Sequence, residues 1–281
     1  MQTRAVKAYL VCTAWEPTAK TNGERPPMSL TPEQIEAYAT QGYLLVPNLL
    51  PNEEVEALRT RLREYTHGGR PTEKLTLQIE PRIQRGELKV EHQGDGIRKI
   101  DGLVQGDDLF RDLGLHPNIV GVLRDILGED IKMFRNSLLL KPPQVGSAKG
   151  WHQDSPYWSI EPMELCSCWF PLDDATLENG CMVVLPTGHL SGALPHISVT
   201  DDFVIDPNTI DTTKGIAVPM PAGSGLFFHS LIPHYTAPNH SQTWRRAIAL
   251  SYMASHSRYT GEGESPVYYP VCGQTFEGCV R

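Results

Sequence analysis

Two hydrophobic patterns divide the chain near residue 131. Before that point the signals are helical. SLTPEQIEAYATQGY offers Ser29 or Thr31 as a cap, Pro32 in a first turn and Gly42 as a stop. YLLVPNLL reads as a short strand, and PNEEVEALRTRLREYTHGG as a second helix opened by Pro51 and closed by Gly68-Gly69. HPNIVGVLRDILGED places Ile119, Leu123, Ile126 and Leu127 on one face of a third helix that ends at Gly128. Residues 70–100 are polar and irregular. From Ile131 onward, short β-branched or aromatic runs are broken by Pro, Gly and Asn: IKMFRNSLLL, ELCSCWFPL, GCMVVLP, GIAVPMP, GSGLFFHSLIPHY and RRAIALSYM. Six to eight such strands in succession predict a mainly β sandwich or barrel of the jelly-roll kind, with N-terminal helices as a buttress. The expected organisation is an extension over 1–30, where TNGERPP is polar and Pro-rich, then one domain over 31–281 with its β core at about 131–258.

Length adds only that 281 residues can bury a core with a pocket inside it. The net charge of −8 argues against a general nucleic-acid binder. No apolar run of about 18 residues predicts a membrane span, and the N-terminus does not read as a secretory leader. The six cysteines lack zinc-site spacing, since Cys166 and Cys168 are separated by one residue. Free thiols in a reducing cytoplasm are the simplest expectation; the even count leaves disulfides as the alternative.

Candidate chemistry centres on Gly150-Trp151-His152-Gln153-Asp154-Ser155. On a strand, residues two apart share a face, so His152 and Asp154 could present an imidazole and a carboxylate to one ion. A second distant His would complete a two-His, one-carboxylate set, which leaves positions open and suits Fe(II). His-x-Asp alone is a weak signal that chance supplies often, and taken by itself it reads better as a hydrogen-bonded surface pair. Further along, His234 is followed eleven residues later by Arg245. A guanidinium is the preferred partner of a carboxylate. If Arg245 points inward, alternation puts the small Ala247, Ala249 and Ser251 beside it and Arg246, Ile248, Leu250 and Tyr252 on the other face. A surface Arg pair on an edge strand is the competing interpretation.

WHQDSPYW, CSCWFPLDDATLENGCMVVLPTGH and PHYTAPNHSQTWRRAIALSYM, together with RKIDGLVQGDDLFRDLGLHPNIVGVLRDILGEDI and SLLLKPPQVG, resemble the phytanoyl-CoA dioxygenase family from about Leu30 to the C-terminus. The resemblance implies a double-stranded β-helix and a dioxygenase using Fe(II), 2-oxoglutarate and O2, with ascorbate stimulating. It implies His152, Asp154 and His234 as metal ligands and Arg245 as the anchor of the distal 2-oxoglutarate carboxylate. By the same resemblance Lys99, Trp169, Thr236 and Gln153 contact the co-substrate, although alternation turns Gln153 away from His152 and Asp154. Ser137 occupies a position where another member has a larger side chain.

Among the remaining candidates, His229 lacks an arginine at the matching distance, His189 in PTGHL reads as a turn residue, and His240 and His256 as surface positions. Cys166 and Cys168 read as packed side chains, and Asp173 and Asp174 as turn formers. An intact Asp154 carboxylate favours hydroxylation of a small organic molecule over halogenation. Ring closure, desaturation and epimerisation stay open, as does a non-catalytic ligand-binding protein of the same fold. No dense basic cluster suits CoA phosphates, and neither terminus carries a peroxisomal address. Loops at 70–98 and 196–216 are expected at the pocket mouth.

Overall fold

A computed structural model describes residues 27–265 and 267–276. Residues 1–26 of the expected extension, with Cys12 and Cys279, lie outside the described residues. Along the described chain run α1 (Pro32–Gln41), β1 (Tyr43–Val46), α2 (Asn52–Thr66), β2 (Thr76–Ile79), α3 (Pro81–Gln84), β3 (Ile97–Asp101), α4 (Leu103–Gly106), α5 (Asp108–Leu113) and α6 (Pro117–Leu127). Then come β4 (Ile131–Lys141), β5 (Lys149–His152), β6 (Ile160–Glu161), β7 (Leu165–Pro171), β8 (Met182–Val184), β9 (His196–Val199), β10 (Asp202–Ile205), β11 (Ile216–Val218), β12 (Gly225–His229), β13 (His234–Thr236), β14 (Arg245–Ala254), β15 (Arg258–Tyr259) and β16 (Tyr269–Cys272).

Local chemistry sets the helix ends. Thr31 and Gln34 form a reciprocal capping box at the start of α1. Gly42 ends it in the left-handed region at φ 81°, where an added Cβ would lie 2.4 Å from His189 Nδ1. The last residues before α1 are docked: Met28 and Leu30 are buried, and Leu30 N donates to Asp125 in α6 at 2.6 Å.

Two antiparallel sheets carry the jelly roll. The larger runs β1-β12-β7-β14-β4-β3-β2, with β16 also pairing β4; the smaller runs β11-β8-β13-β5. Strand alternation sorts the core into two layers. Cys166, Cys168 and Phe170 of β7 and Ile248, Leu250 and Tyr252 of β14 face a core shared with the helices. Trp169, Leu226, Phe228 and Ala247 meet Met182, Val184 and Val218 between the sheets. Each fully buried Leu or Phe contributes about 1.5–3 kcal/mol, which holds the helical buttress on the larger sheet.

Four details differ from the sequence expectation. The β core extends beyond 131–258, because β1, β2 and β3 join the larger sheet from the N-terminal half and β16 joins it after 258. The irregular 70–100 region contains β2 and β3; four-residue β2 has no buried position, so it shows no apolar alternation. GSGLFFHSLIPHY is not one strand. It divides at 230–233 into β12 of the larger sheet and β13 of the smaller, and Pro233 has no N–H to continue a ladder. Finally β5 stops at His152, so Asp154 is not on a strand. It has helical dihedrals (φ −74°, ψ −44°) and opens a 3-10 turn over Ser155–Tyr157.

Candidate active site

The antiparallel pairing of β13 with β5 sets His234 opposite His152. Their ring centroids are 4.0 Å apart. His152 Nδ1 is 2.8 Å from the Gly150 carbonyl and His234 Nδ1 is 3.0 Å from that of Ile232. A carbonyl only accepts, so each Nδ1 carries the proton and each Nε2 lone pair faces inward. Asp154 reaches the same point from its turn, fixed by its N–H donating to Ser230 O at 2.8 Å. Its Oδ1 lies 3.9 Å from both Nε2 atoms. Two ligands with bonds of about 2.1 Å to one ion stand at most about 4.2 Å apart. Asp154 Oδ2 accepts from Ser167 Oγ at 3.0 Å, and Ser167 in turn meets Ser251 at 3.3 Å. Burial, reinforced by the neighbouring His234 and Lys149, holds the His152 imidazole well below its ordinary range; burial also lowers His234, against the pull of Asp154. Both are therefore neutral and able to ligate. Among the described residues these three form the one cluster of His, Cys, Asp and Glu able to hold a metal.

The three side chains line a cavity of about 310 Å³. In its wall Arg245 is 2% exposed, lies over the Trp169 ring with 5.5 Å to the centroid, and donates from Nη1 to Leu139 O at 3.2 Å. Its Nε has no partner. Burial lowers the guanidinium to about 10, so it stays charged at neutral pH. Thr236, two residues after His234 in β13, lines the same cavity, as do Trp169 and Lys99. Lys99 is held by Asp101 Oδ2 at 2.8 Å, and Ser137 donates to the other oxygen of Asp101. Gln153 is elsewhere. Its side chain is fully buried outside the cavity, donating to Gly192 O (2.8 Å) and Leu231 O (2.6 Å) and accepting from Leu194 N (2.7 Å). Even with β5 ending at His152, Gln153 turns away and anchors the 192–194 segment.

Residues 38–247 match the profile of the phytanoyl-CoA dioxygenase (PhyH) family. The chain belongs to the phytanoyl-CoA dioxygenase family. It is 28% identical over 239 residues to a probable phytanoyl-CoA dioxygenase of Caenorhabditis elegans, covering 79% of this chain and 75% of that protein. It is 30% identical over 231 residues to a methylphosphonate hydroxylase of Gimesia maris, covering 80% and 82%. Its fold matches that of the apo form of the non-heme monooxygenase ThoJ with a TM-score of 0.69 at 23% identity, over 88% of this chain and 86% of the other. Members of the phytanoyl-CoA dioxygenase family are non-haem iron, 2-oxoglutarate-dependent dioxygenases, and this chain is such an enzyme. The residues present fit both groups. Two neutral imidazoles and one carboxylate in a buried cluster are a ferrous-iron donor set. A buried guanidinium with an orphaned Nε and no acidic partner is suited to a carboxylate.

The other sequence candidates fall outside the cavity. His229, on β12, accepts from Leu231 N at 3.1 Å and is lowered to about 4 by burial and by nearby His189. His189 orders its turn by bonding Ala39 O at 3.0 Å, while His240 and His256 are exposed. Cys166 and Cys168 are buried free thiols, Cys166 pushed up to about 12 by burial. Asp173 does more than shape a turn: it accepts two bonds from the Arg246 guanidinium (2.6 and 2.7 Å), fixing the outer face of β14. Asp174 accepts from Ala222 N at 2.9 Å. The two expected mouth loops meet, with Arg85 bonding both oxygens of Asp201 (2.6 and 2.8 Å). Sequence inspection missed Ser167, because CSC reads as packing. It also missed a basic cavity lining: Arg98, Lys99, Arg135, Lys141, Lys149 and Arg245 converge from four strands, so no run of basic residues announces them.

Proposed function

We propose that His152 and His234, through Nε2, and Asp154, through Oδ1, hold the ferrous iron, and that Arg245 binds the distal carboxylate of 2-oxoglutarate. Thr236 and Lys99 supply polar contacts along that arm, and Trp169 supports the guanidinium. When bound, iron and 2-oxoglutarate together couple O2 reduction and decarboxylation to succinate with oxidation of a substrate C–H. The chain's own residues orient and shield. The carbonyls of Gly150 and Ile232 fix the imidazole rings, Ser167 fixes the carboxylate, and Leu139, Met182 and Phe228 give the cavity apolar walls that limit water. Hydroxylation is the outcome the intact Asp154 carboxylate favours, since all three ligands are present and no position is vacated for a halide.

A cavity of about 310 Å³ shared with the co-substrate suits the reacting end of a small molecule. Residues 31–281 act as one catalytic unit, ascorbate sustains turnover by keeping the iron ferrous, and the buried free thiols Cys166, Cys168 and Cys181 suit a reducing compartment such as the cytoplasm. The observation that carries this function is one carboxylate oxygen 3.9 Å from two inward imidazole nitrogens, in the same cavity as an arginine with no acid. The test is an anaerobic ferrous-iron titration of wild type and His152→Ala, followed by succinate formation under air. Loss of both iron binding and succinate in the variant is expected; equal iron binding in the two proteins overturns the ligand assignment.

A further inference from the structure

The cavity holds more positive charge than iron and 2-oxoglutarate require. Six basic side chains line it against two carboxylates, Glu80 and Asp154; burial lowers one of them, Lys141, to about 6 and leaves it largely neutral at pH 7. Iron brings two positive charges and 2-oxoglutarate two negative, so loading leaves this excess unchanged. Four of the six are accounted for. Lys99 pairs with Asp101 at 2.8 Å and Lys149 with Asp202. Lys141 donates to the carbonyls of Ser147, Thr236 and Ala237, and Arg245 awaits the co-substrate. The side chains of Arg98 and Arg135 have neither an ion pair nor a hydrogen bond among the described residues. Arg98 stands at the rim, shared with the recess where the two mouth loops meet.

Arg135 is the informative one. It is half-buried, and its guanidinium lies over the Trp158 ring, 5.4 Å from the centroid, with no carboxylate in ion-pair range. Across the β4–β14 ladder Arg135 pairs with Ser251, and Ser251 touches the Ser167 that holds Asp154. Arg245 pairs with Lys141, six residues further along β4. At about 3.3 Å per residue those backbone levels are about 20 Å apart. Arg245 and Arg135 therefore enter one cavity from different backbone levels, and both line it together with His152, Asp154 and His234. Withdrawing a guanidinium from water without a counter-ion is unfavourable unless a ligand anion completes the site.

We propose that Arg135 binds an anionic group, a carboxylate or a phosph(on)ate, on the molecule that is oxidised, and so fixes which C–H is presented. This rests on the assignment of Arg245 to 2-oxoglutarate. The guanidinium, held over Trp158, offers its fork to two anion oxygens. A neutral analogue of the same shape leaves Arg135 without an acceptor and binds weakly.

The test uses the anaerobic ferrous, 2-oxoglutarate-loaded enzyme, with inorganic phosphate as the first probe, titrated calorimetrically. Saturable phosphate binding that leaves 2-oxoglutarate in place is expected. Arg135→Gln weakens it about tenfold or more, the scale of one charge-assisted hydrogen bond. Arg135→Lys, which keeps the charge and guards against a folding artefact, weakens it less. Competition by butyrate, butylphosphonate and butanamide then separates the sources: either anion displaces phosphate and the amide does not. Absence of saturable phosphate binding overturns the proposal, as does binding that Arg135→Gln leaves unchanged. If Arg135→Gln weakens 2-oxoglutarate as much as phosphate, Arg135 belongs to the co-substrate arm and the proposal fails while the dioxygenase function stands. Failure of wild type to bind 2-oxoglutarate in its own titration strikes the Arg245 assignment instead.

Discussion

Arg245→Gln removes a guanidinium that is 2% exposed, has an unbonded Nε and has no carboxylate within ion-pair range. Its fall from an ordinary 12.5 to about 10, caused by burial, corresponds to about 3 kcal/mol against the charged form. Opposing this are the bond to Leu139 O, worth about 1 kcal/mol, and the contact with Trp169, worth about 1 kcal/mol. The metal-free, ligand-free variant should therefore be more stable than wild type by about 1 kcal/mol, a rise in melting temperature of about 2–4 °C. Co-substrate binding moves the other way. Loss of two charge-assisted hydrogen bonds, at about 1.5–3 kcal/mol each, should weaken 2-oxoglutarate by about a hundredfold or more. Scanning calorimetry of the apo proteins and anaerobic titration of 2-oxoglutarate in the presence of ferrous iron read the two effects separately. A variant that melts below wild type and binds 2-oxoglutarate equally well would refute the reasoning, because Arg245 would then be a structural residue.

Three further outcomes follow from the same contacts. Ser167→Ala leaves Asp154 Oδ2 without its donor and should weaken ferrous-iron affinity about 10–100-fold in an anaerobic titration; a change under twofold shows that Ser167 does not orient the ligand. Gln153→Ala removes three buried hydrogen bonds and should lower stability by about 2–4 kcal/mol in denaturant unfolding, with the KM for 2-oxoglutarate unchanged; a raised KM at unchanged stability would restore it to the co-substrate site. His229, held neutral down to about 4 in the folded state, binds a proton near 6.5 once unfolded, so its contribution is present above 6.5 and lost as pH falls from 6.5 towards 4. His229→Gln should flatten that part of the stability–pH curve, and an identical acid slope in the variant contradicts the assignment.

The jelly roll was legible because its strands alternate between two buried faces: Ile248, Leu250 and Tyr252 towards the helices, Ala247 and Ala249 towards the space between the sheets. The clustering of His152, Asp154 and His234 was legible through spaced motifs, but strand alternation accounts for only part of it. His152 and Asp154 meet because a strand ends and a turn begins, which His-x-Asp does not encode. GSGLFFHSLIPHY looked continuous because hydrophobicity carries no mark of a change of sheet; only Pro233 hints at it. Edge strand β2 is short and polar, with no periodicity to detect. The basic cavity was invisible for a topological reason, since strand register alone brings Arg98, Arg135, Lys149 and Arg245 together.

The proposed function requires that His152, Asp154 and His234 hold one iron that turns over 2-oxoglutarate. Iron stoichiometry and succinate formation, measured together on wild type, Asp154→Ala and His234→Ala with ascorbate under air, test it most directly. About one tightly bound iron and iron-dependent succinate are expected in wild type, with both lost in each variant. Succinate formed at the wild-type rate by either variant would contradict it.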